Sequence, residues 1–177
     1  MSLIYVTGIP GVGKSTIQRE LKRLGYEAYD IDQPRFGGPT NLVTGESVHL
    51  PPIDMRSKEW FDRHEWRVSR DAVQSLKNES INTTIYLCGT TTTEHLIWDL
   101  FDKVLYLHVD EETLKQRLAN RKDNDFGKSE DEMKIILPRY HEAEDALKHL
   151  DVTTIDARGT LQETVASITR YAKYNTK

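Results

Sequence analysis

The chain has 177 residues, 37% apolar and 29% charged, with a net charge of −4. That length suits one domain with a substantial core and is too short for two of ordinary size. The balance is that of a globular chain rather than a disordered one, no apolar run approaches the roughly 20 residues of a membrane span, and no basic stripe marks a nucleic-acid surface. Neither a membrane nor a nucleic acid is therefore expected as a partner. Cys88 is the one cysteine and cannot close an internal disulfide, and Met1-Ser2-Leu3-Ile4 has no basic stretch ahead of a long apolar core. No secretory signal and a cytoplasmic location are expected.

In chain order, Leu3–Thr7 is a short β-forming apolar run that ends in glycine, the pattern of a buried strand. Residues 15–24 place Ile17, Leu21 and Leu24 on one helical face, with Gly25 as the stop. Residues 27–31 read as a second strand. Residues 33–52 hold four of the six prolines and three of the ten glycines, so a long loop, or one with only fragments of structure, is expected there. A charged helix studded with aromatic residues is expected over about 57–76. Residues 83–88 and 103–109 read as the third and fourth strands. A helix follows at 111–121 with Asp110 as N-cap. Residues 129–150 are a second helical stretch bent near Pro138, 152–155 a fifth strand, and 160–171 a closing helix. Strands alternating with helices imply right-handed crossovers and a parallel sheet covered on both faces, a three-layer α/β/α domain.

Gly8-Ile9-Pro10-Gly11-Val12-Gly13-Lys14-Ser15 matches G-x-x-x-x-G-K-[ST] in full, between a strand and an amphipathic helix. Glycines let successive backbone N–H groups converge on phosphate oxygens, and the helix points its positive dipole end at the same anion. Gly8, Gly11, Val12, Gly13, Lys14, Ser15 and Thr16 are thus the expected nucleotide-binding residues. Lys14 reaches the β- and γ-phosphates, and Ser15 places its hydroxyl on Mg²⁺.

With this motif in this context the chain resembles the P-loop small-molecule kinases: nucleoside-monophosphate kinases, shikimate kinase and gluconate kinase. The resemblance implies a five-stranded parallel sheet of order 2-3-1-4-5, with ATP and Mg²⁺ as cofactors. Asp30-Ile31-Asp32 follows the second strand, and period two turns both carboxylates to one side. Shikimate and gluconate kinases are similar there, which implies Asp32 as the base for the acceptor and Asp30 as its metal-side partner. The competing reading is that one of the pair caps a turn. Arg35 lies just beyond. On the expected helix Arg63 and Arg67 share a face, as do Trp60 and His64, suiting either an anionic or planar acceptor or plain amphipathic packing. With Asp32 and Gly89, Arg35, Arg63 and Arg67 are the expected acceptor-binding residues.

Cys88-Gly89-Thr90-Thr91-Thr92-Thr93 stands where nucleoside-monophosphate kinases usually carry Asp-Gly, and gluconate kinase is the closer likeness. The threonines suit either hydrogen bonding to an acceptor or a helix start. Arg117 and Arg121 lie four apart, as do the arginines that lead into the lid of these kinases, one against the adenine and one at the transferring phosphoryl. Both are expected to be catalytic, with Arg117 also on the nucleotide. Arg139 is a further candidate. The resemblance also places Arg158, after the last strand, near the base.

The expectation is one domain spanning 1–177, with an acceptor-binding insertion at about 33–77 and a lid at about 118–130. It is read as an ATP- and Mg²⁺-dependent phosphotransferase acting, as monomer or homodimer, on a nucleoside, a nucleotide or a shikimate- or gluconate-like hydroxyl compound. A nucleotide-binding regulatory or adaptor protein with little or no transfer is the alternative, supported by the missing acid at Cys88.

Overall fold

A computed structural model describes residues 1–52, 55–122, 126–147 and 152–173. In chain order the elements are β1 (Leu3–Thr7), α1 (Lys14–Arg23), β2 (Glu27–Asp30), β3 (Gly37–Asn41), α2 (Lys58–Arg63), β4 (His64–Val68), α3 (Arg70–Glu79) and β5 (Ile85–Cys88). They continue with β6 (Lys103–His108), α4 (Glu111–Asn120), α5 (Glu130–Leu147), β7 (Thr153–Asp156) and α6 (Leu161–Lys173). Short 3₁₀ turns cover Pro34–Phe36, Glu94–Leu96 and Trp98–Leu100.

β1 is buried along its whole length because it is the middle of a parallel sheet ordered β2-β5-β1-β6-β7. Counted within that sheet alone, the order is 2-3-1-4-5. Alternate β1 residues serve opposite faces, as the period of two requires. Ile4 and Val6 join Ile17, Leu21, Leu114 and Ile168 in one core. Leu3 and Tyr5 join Phe36, Val73, Leu76 and Ile97 in the other. The helices begin where the sequence supplies caps. Asp110 accepts from the Thr113 amide at 2.8 Å, while Thr160 and Glu163 form a reciprocal capping box at the start of α6. Among the described residues no helix is long and apolar enough to cross a membrane.

The expected continuous helix over 57–76 is corrected. It is two helices, α2 and α3, with a strand between them, and β4 pairs antiparallel with β3 in a separate two-stranded sheet. The cause lies in two serine caps and a strand-forming run. Ser57 accepts from the Trp60 amide to start α2, and Ser69 accepts from the Ala72 amide to start α3. Between them His64-Glu65-Trp66-Arg67-Val68 runs extended against Gly37–Asn41. The long loop expected over 33–52 likewise contributes a strand. The seventh and sixth strands beyond the expected five are this hairpin, which stands beside the carboxyl edge of the main sheet, where α/β folds gather ligands.

Candidate active site

The phosphate loop leaves β1 at Gly8 and enters α1 at Lys14. A Cβ on Gly11, whose φ is +95°, would come within 2.9 Å of Leu114 and Leu118 on α4, so only glycine lets the loop lie this close to that helix. Gly11, Val12, Gly13, Lys14, Ser15 and Thr16 all line one cleft of about 820 Å³. The Lys14 ammonium donates to the carbonyls of Gly8 and Ile9 at 2.6 and 2.9 Å. Burial lowers its pKa to about 8, while Asp32, Glu94 and Asp30 pull it back up. An anion bound beside it would favour the charged form further.

Asp32 lines the same cleft. Its carboxylate opens to the cleft but has protein mass around most of it, and this desolvation raises its pKa to about 6. Asp30 pushes the same way and Lys14 opposes. Asp30 itself accepts from the Asp32 amide at 3.0 Å, an Asx turn that fixes the backbone carrying Asp32. Asp30 is not among the residues lining the cleft.

A carboxylate that the sequence reading passed over lies under the loop. Glu94 accepts from the Tyr5 hydroxyl at 2.7 Å and the Thr7 hydroxyl at 2.9 Å. Burial and Glu94 both hold the Tyr5 phenol well above its ordinary range, so it stays a neutral donor. Thr90 donates to the Gly8 carbonyl and lies 3.3 Å from the Thr7 hydroxyl. Thr93 precedes the 3₁₀ turn Glu94–Leu96 without a side-chain cap, so the threonines stand at the start of a helical turn and also bond β4. Thr91 and Thr92 bond the backbone of Trp66, and Thr93 accepts from the Val68 amide at 3.0 Å. They clasp the outer edge of β4 onto the end of β5. Cys88 is fully buried, and burial pushes its thiol up, so it serves as a small core residue.

Arg117 lines the cleft and ties its two banks together. Its guanidinium donates to the Val12 carbonyl at 2.9 Å and the Ala157 carbonyl at 2.7 Å. Arg121 also lines the cleft and donates to the Phe126 carbonyl at 3.2 Å. The expected lid at 118–130 spans the end of α4 and the start of α5, and its residues 123–125 lie outside the described ones. On its returning side the Gly127 amide donates to the fully buried Glu132 carboxylate. Arg139 reaches the cleft from α5.

Several expected site residues point elsewhere. Arg35 lies over the rings of Tyr29 and Phe36, at 4.2 and 4.4 Å. Arg63 pairs with Glu59 and Arg67 with Glu65, and the strand between them removes the shared helical face expected for the two arginines. Arg158 turns to Asp156 at 2.7 Å. Gly89 approaches so close to Ile31 that a Cβ would clash at 2.0 Å, a packing demand. None of these five lines the cleft, and Gly8 contributes through its carbonyl. The cleft also takes Pro39, Leu50, Arg56, Trp60, Phe61, His64, Trp66 and Phe126. The period-two run over 64–68 is the signal that would have revealed this wall.

A phosphate loop at the central strand of a five-stranded parallel sheet, facing a carboxylate and arginines across one cleft, defines a P-loop nucleotide-binding protein. The chain belongs to the family described as AAA domain, whose model matches residues 4–145. It is similar to a curated shikimate kinase of Prosthecochloris aestuarii (strain DSM 271 / SK 413), 27% identical over 96% of this chain and 86% of that one. In fold it is similar to the shikimate kinase of Aquifex aeolicus vf5, with TM-score 0.57, 17% identity, and 97% and 96% of the two chains covered. A gluconokinase from Sinorhizobium meliloti 1021 gives TM-score 0.54 and 16% identity over 96% and 93%. The relatives are thus P-loop small-molecule kinases.

Proposed function

We propose that this chain is an ATP- and Mg²⁺-dependent phosphotransferase that moves the γ-phosphoryl group to a hydroxyl of a small-molecule acceptor. The observation that carries this reading is that Lys14, Asp32, Arg117 and Arg121 all line one cleft. A binder or adaptor needs the loop alone; a carboxylate with a pKa raised to about 6 suits a base. The similarity to a shikimate kinase and a gluconokinase supports a small hydroxyl compound as acceptor.

In this reading the loop amides and Lys14 hold the β- and γ-phosphates. Asp32 takes the acceptor's hydroxyl proton, the oxygen forms a bond to the γ-phosphorus, the bond to the bridging oxygen breaks, and ADP leaves. Lys14 and Arg121 stabilise charge on the transferring group, an effect of about 10³-fold or more for such arginines. Arg117 supports the nucleotide between Val12 and Ala157. Among the described residues no group of three or more metal-ligating side chains forms a cage of its own. That suits Mg²⁺, which keeps several waters and takes few protein oxygens. The Ser15 hydroxyl, which lines the cleft, would hold it, and bound Mg²⁺ would supply charge neutralisation on the phosphates. An ATP user of this kind belongs in the cytoplasm.

Lys14→Ala tests the assignment directly. With γ-labelled ATP and a cell extract as acceptor source, transfer falls at least about 10³-fold while the circular dichroism spectrum and thermal midpoint stay near the parent's. Transfer retained by the folded variant sinks the assignment.

A further inference from the structure

Away from the phosphate loop the cleft is walled mainly by rings. Trp60, Phe61, His64, Trp66 and Phe126 reach it from α2, β4 and the start of the returning lid segment. Trp60 and His64 stack with centroids 4.3 Å apart and planes at 13°, and the His64 ring nitrogen Nδ1 lies 2.7 Å from the Trp60 carbonyl. Phe61 meets Phe126 edge to face at 5.8 Å, so this wall touches the lid.

Trp66 is the ring whose backbone is held most firmly. Its amide donates to the Thr92 hydroxyl at 3.0 Å, and its carbonyl accepts from the hydroxyls of Thr91 and Thr92. Its cross-strand neighbour Pro39 lines the same cleft. Its indole N–H is buried and has no acceptor, although buried indole N–H groups usually find one. Two further guanidinium groups line the cleft. Arg56 donates to the Pro51 carbonyl at 2.8 Å, and neither Arg56 nor Arg139 pairs with a carboxylate among the described residues.

We propose that the acceptor is a planar heteroaromatic compound carrying an anionic group and a hydroxyl, and that Trp66 is the residue that selects for its ring. This rests on the phosphotransferase reading and names its acceptor class. A flat ring laid along Trp66 gains stacking that a puckered polyol cannot match. The anionic group is met by the guanidinium forks of Arg56 and Arg139. The hydroxyl is then the group that faces Asp32. An alicyclic polyol would leave the cleft face of Trp66 without a stacking partner, and such a difference in contact is what discriminates against a wrong substrate. A nucleoside monophosphate and a hydroxymethyl-bearing pyridinecarboxylate share this chemistry.

The chain has three tryptophans. A Trp98→Phe background confines indole emission to the two in the cleft. In that background, with ADP and Mg²⁺ present, uridine 5′-monophosphate, a hydroxymethylpyridinecarboxylate and shikimate are titrated against the emission. The expected result is that a ring probe binds at least about tenfold tighter than shikimate. Trp66→Leu then weakens that probe about tenfold and Trp66→Phe less than about threefold, with ADP affinity unchanged in both. Shikimate binding as tightly as the ring probes, no ring probe binding, or an unaltered Trp66→Leu each overturns the proposal. Labelled transfer to shikimate alone overturns the ring acceptor and leaves the phosphotransferase standing. Ring-probe binding without any Lys14-dependent labelled product overturns the phosphotransferase instead.

Discussion

Asp32, the proposed base, is held in the fold at a cost. Its pKa is raised to about 6 from an ordinary value of 3.8. A carboxyl group whose folded pKa is raised favours folding below the unfolded value, and that advantage is lost as pH rises through the folded one. Asp32→Asn is therefore expected to stabilise the chain at pH 7.5 and to leave stability unchanged below about pH 4. The gain is about 1 kcal/mol, less than a sealed carboxylate would give because this one is open on one side. Denaturant melts at the two pH values measure it. Transfer by the parent should rise with pH through about 6, where the base loses its proton, and the variant should lose at least about 10²-fold in rate. The phosphate loop was legible at this scale because its chemistry is local: eight consecutive residues supply both the turn and the donors. Arg35 was not, because two neighbouring rings, Tyr29 and Phe36, decide its direction. Glu94 was hidden for a similar reason, since Tyr5 lies 89 residues away in sequence.

Among the elements, the β3–β4 hairpin depends on hydroxyls in place of a third strand. Thr93 is buried and accepts from the Val68 amide, with Thr91 3.2 Å away. Thr93→Val keeps the shape and strands a buried amide, which is expected to cost about 1–3 kcal/mol. Thr93→Ser should recover most of that loss. Urea unfolding gives the loss, and faster amide exchange at Val68 locates it. A global loss with unchanged exchange at Val68 would show that the clasp is not the cause. The helix expected over 57–76 illustrates why this part resisted reading. Arg63 and Arg67 fit a helical spacing and His64, Trp66 and Val68 fit a strand spacing, and the choice is made by Gly37–Asn41, which lies far away in the chain. The strands β1 and β5 had no such rival, since they are buried along their whole length and their apolar runs are continuous.

For the whole molecule, Arg117 is the fastening between distant parts. It stands on α4 and reaches the loop at Val12 and the turn after β7 at Ala157, 105 and 40 residues away. Arg117→Lys keeps the charge but cannot span two carbonyls with one planar fork. It is expected to raise the KM for ATP about tenfold and leave the KM for the acceptor unchanged. Initial rates with each substrate varied in turn separate the two constants. Equal changes in both would mean that Arg117 shapes the cleft as a whole rather than its nucleotide bank.

The hairpin has one more consequence, which concerns how such a chain diversifies. Its strands pair with each other and not with the main sheet, and threonine side chains fasten it from outside. The phosphate loop joins β1 to α1, and Trp66 stands on the separate ribbon. A one-residue shift in the pairing of β4 would exchange Trp66 for a charged neighbour, Glu65 or Arg67, at the same place. On the phosphotransferase reading, editing the ribbon is expected to change the acceptor while the phosphate loop is left intact.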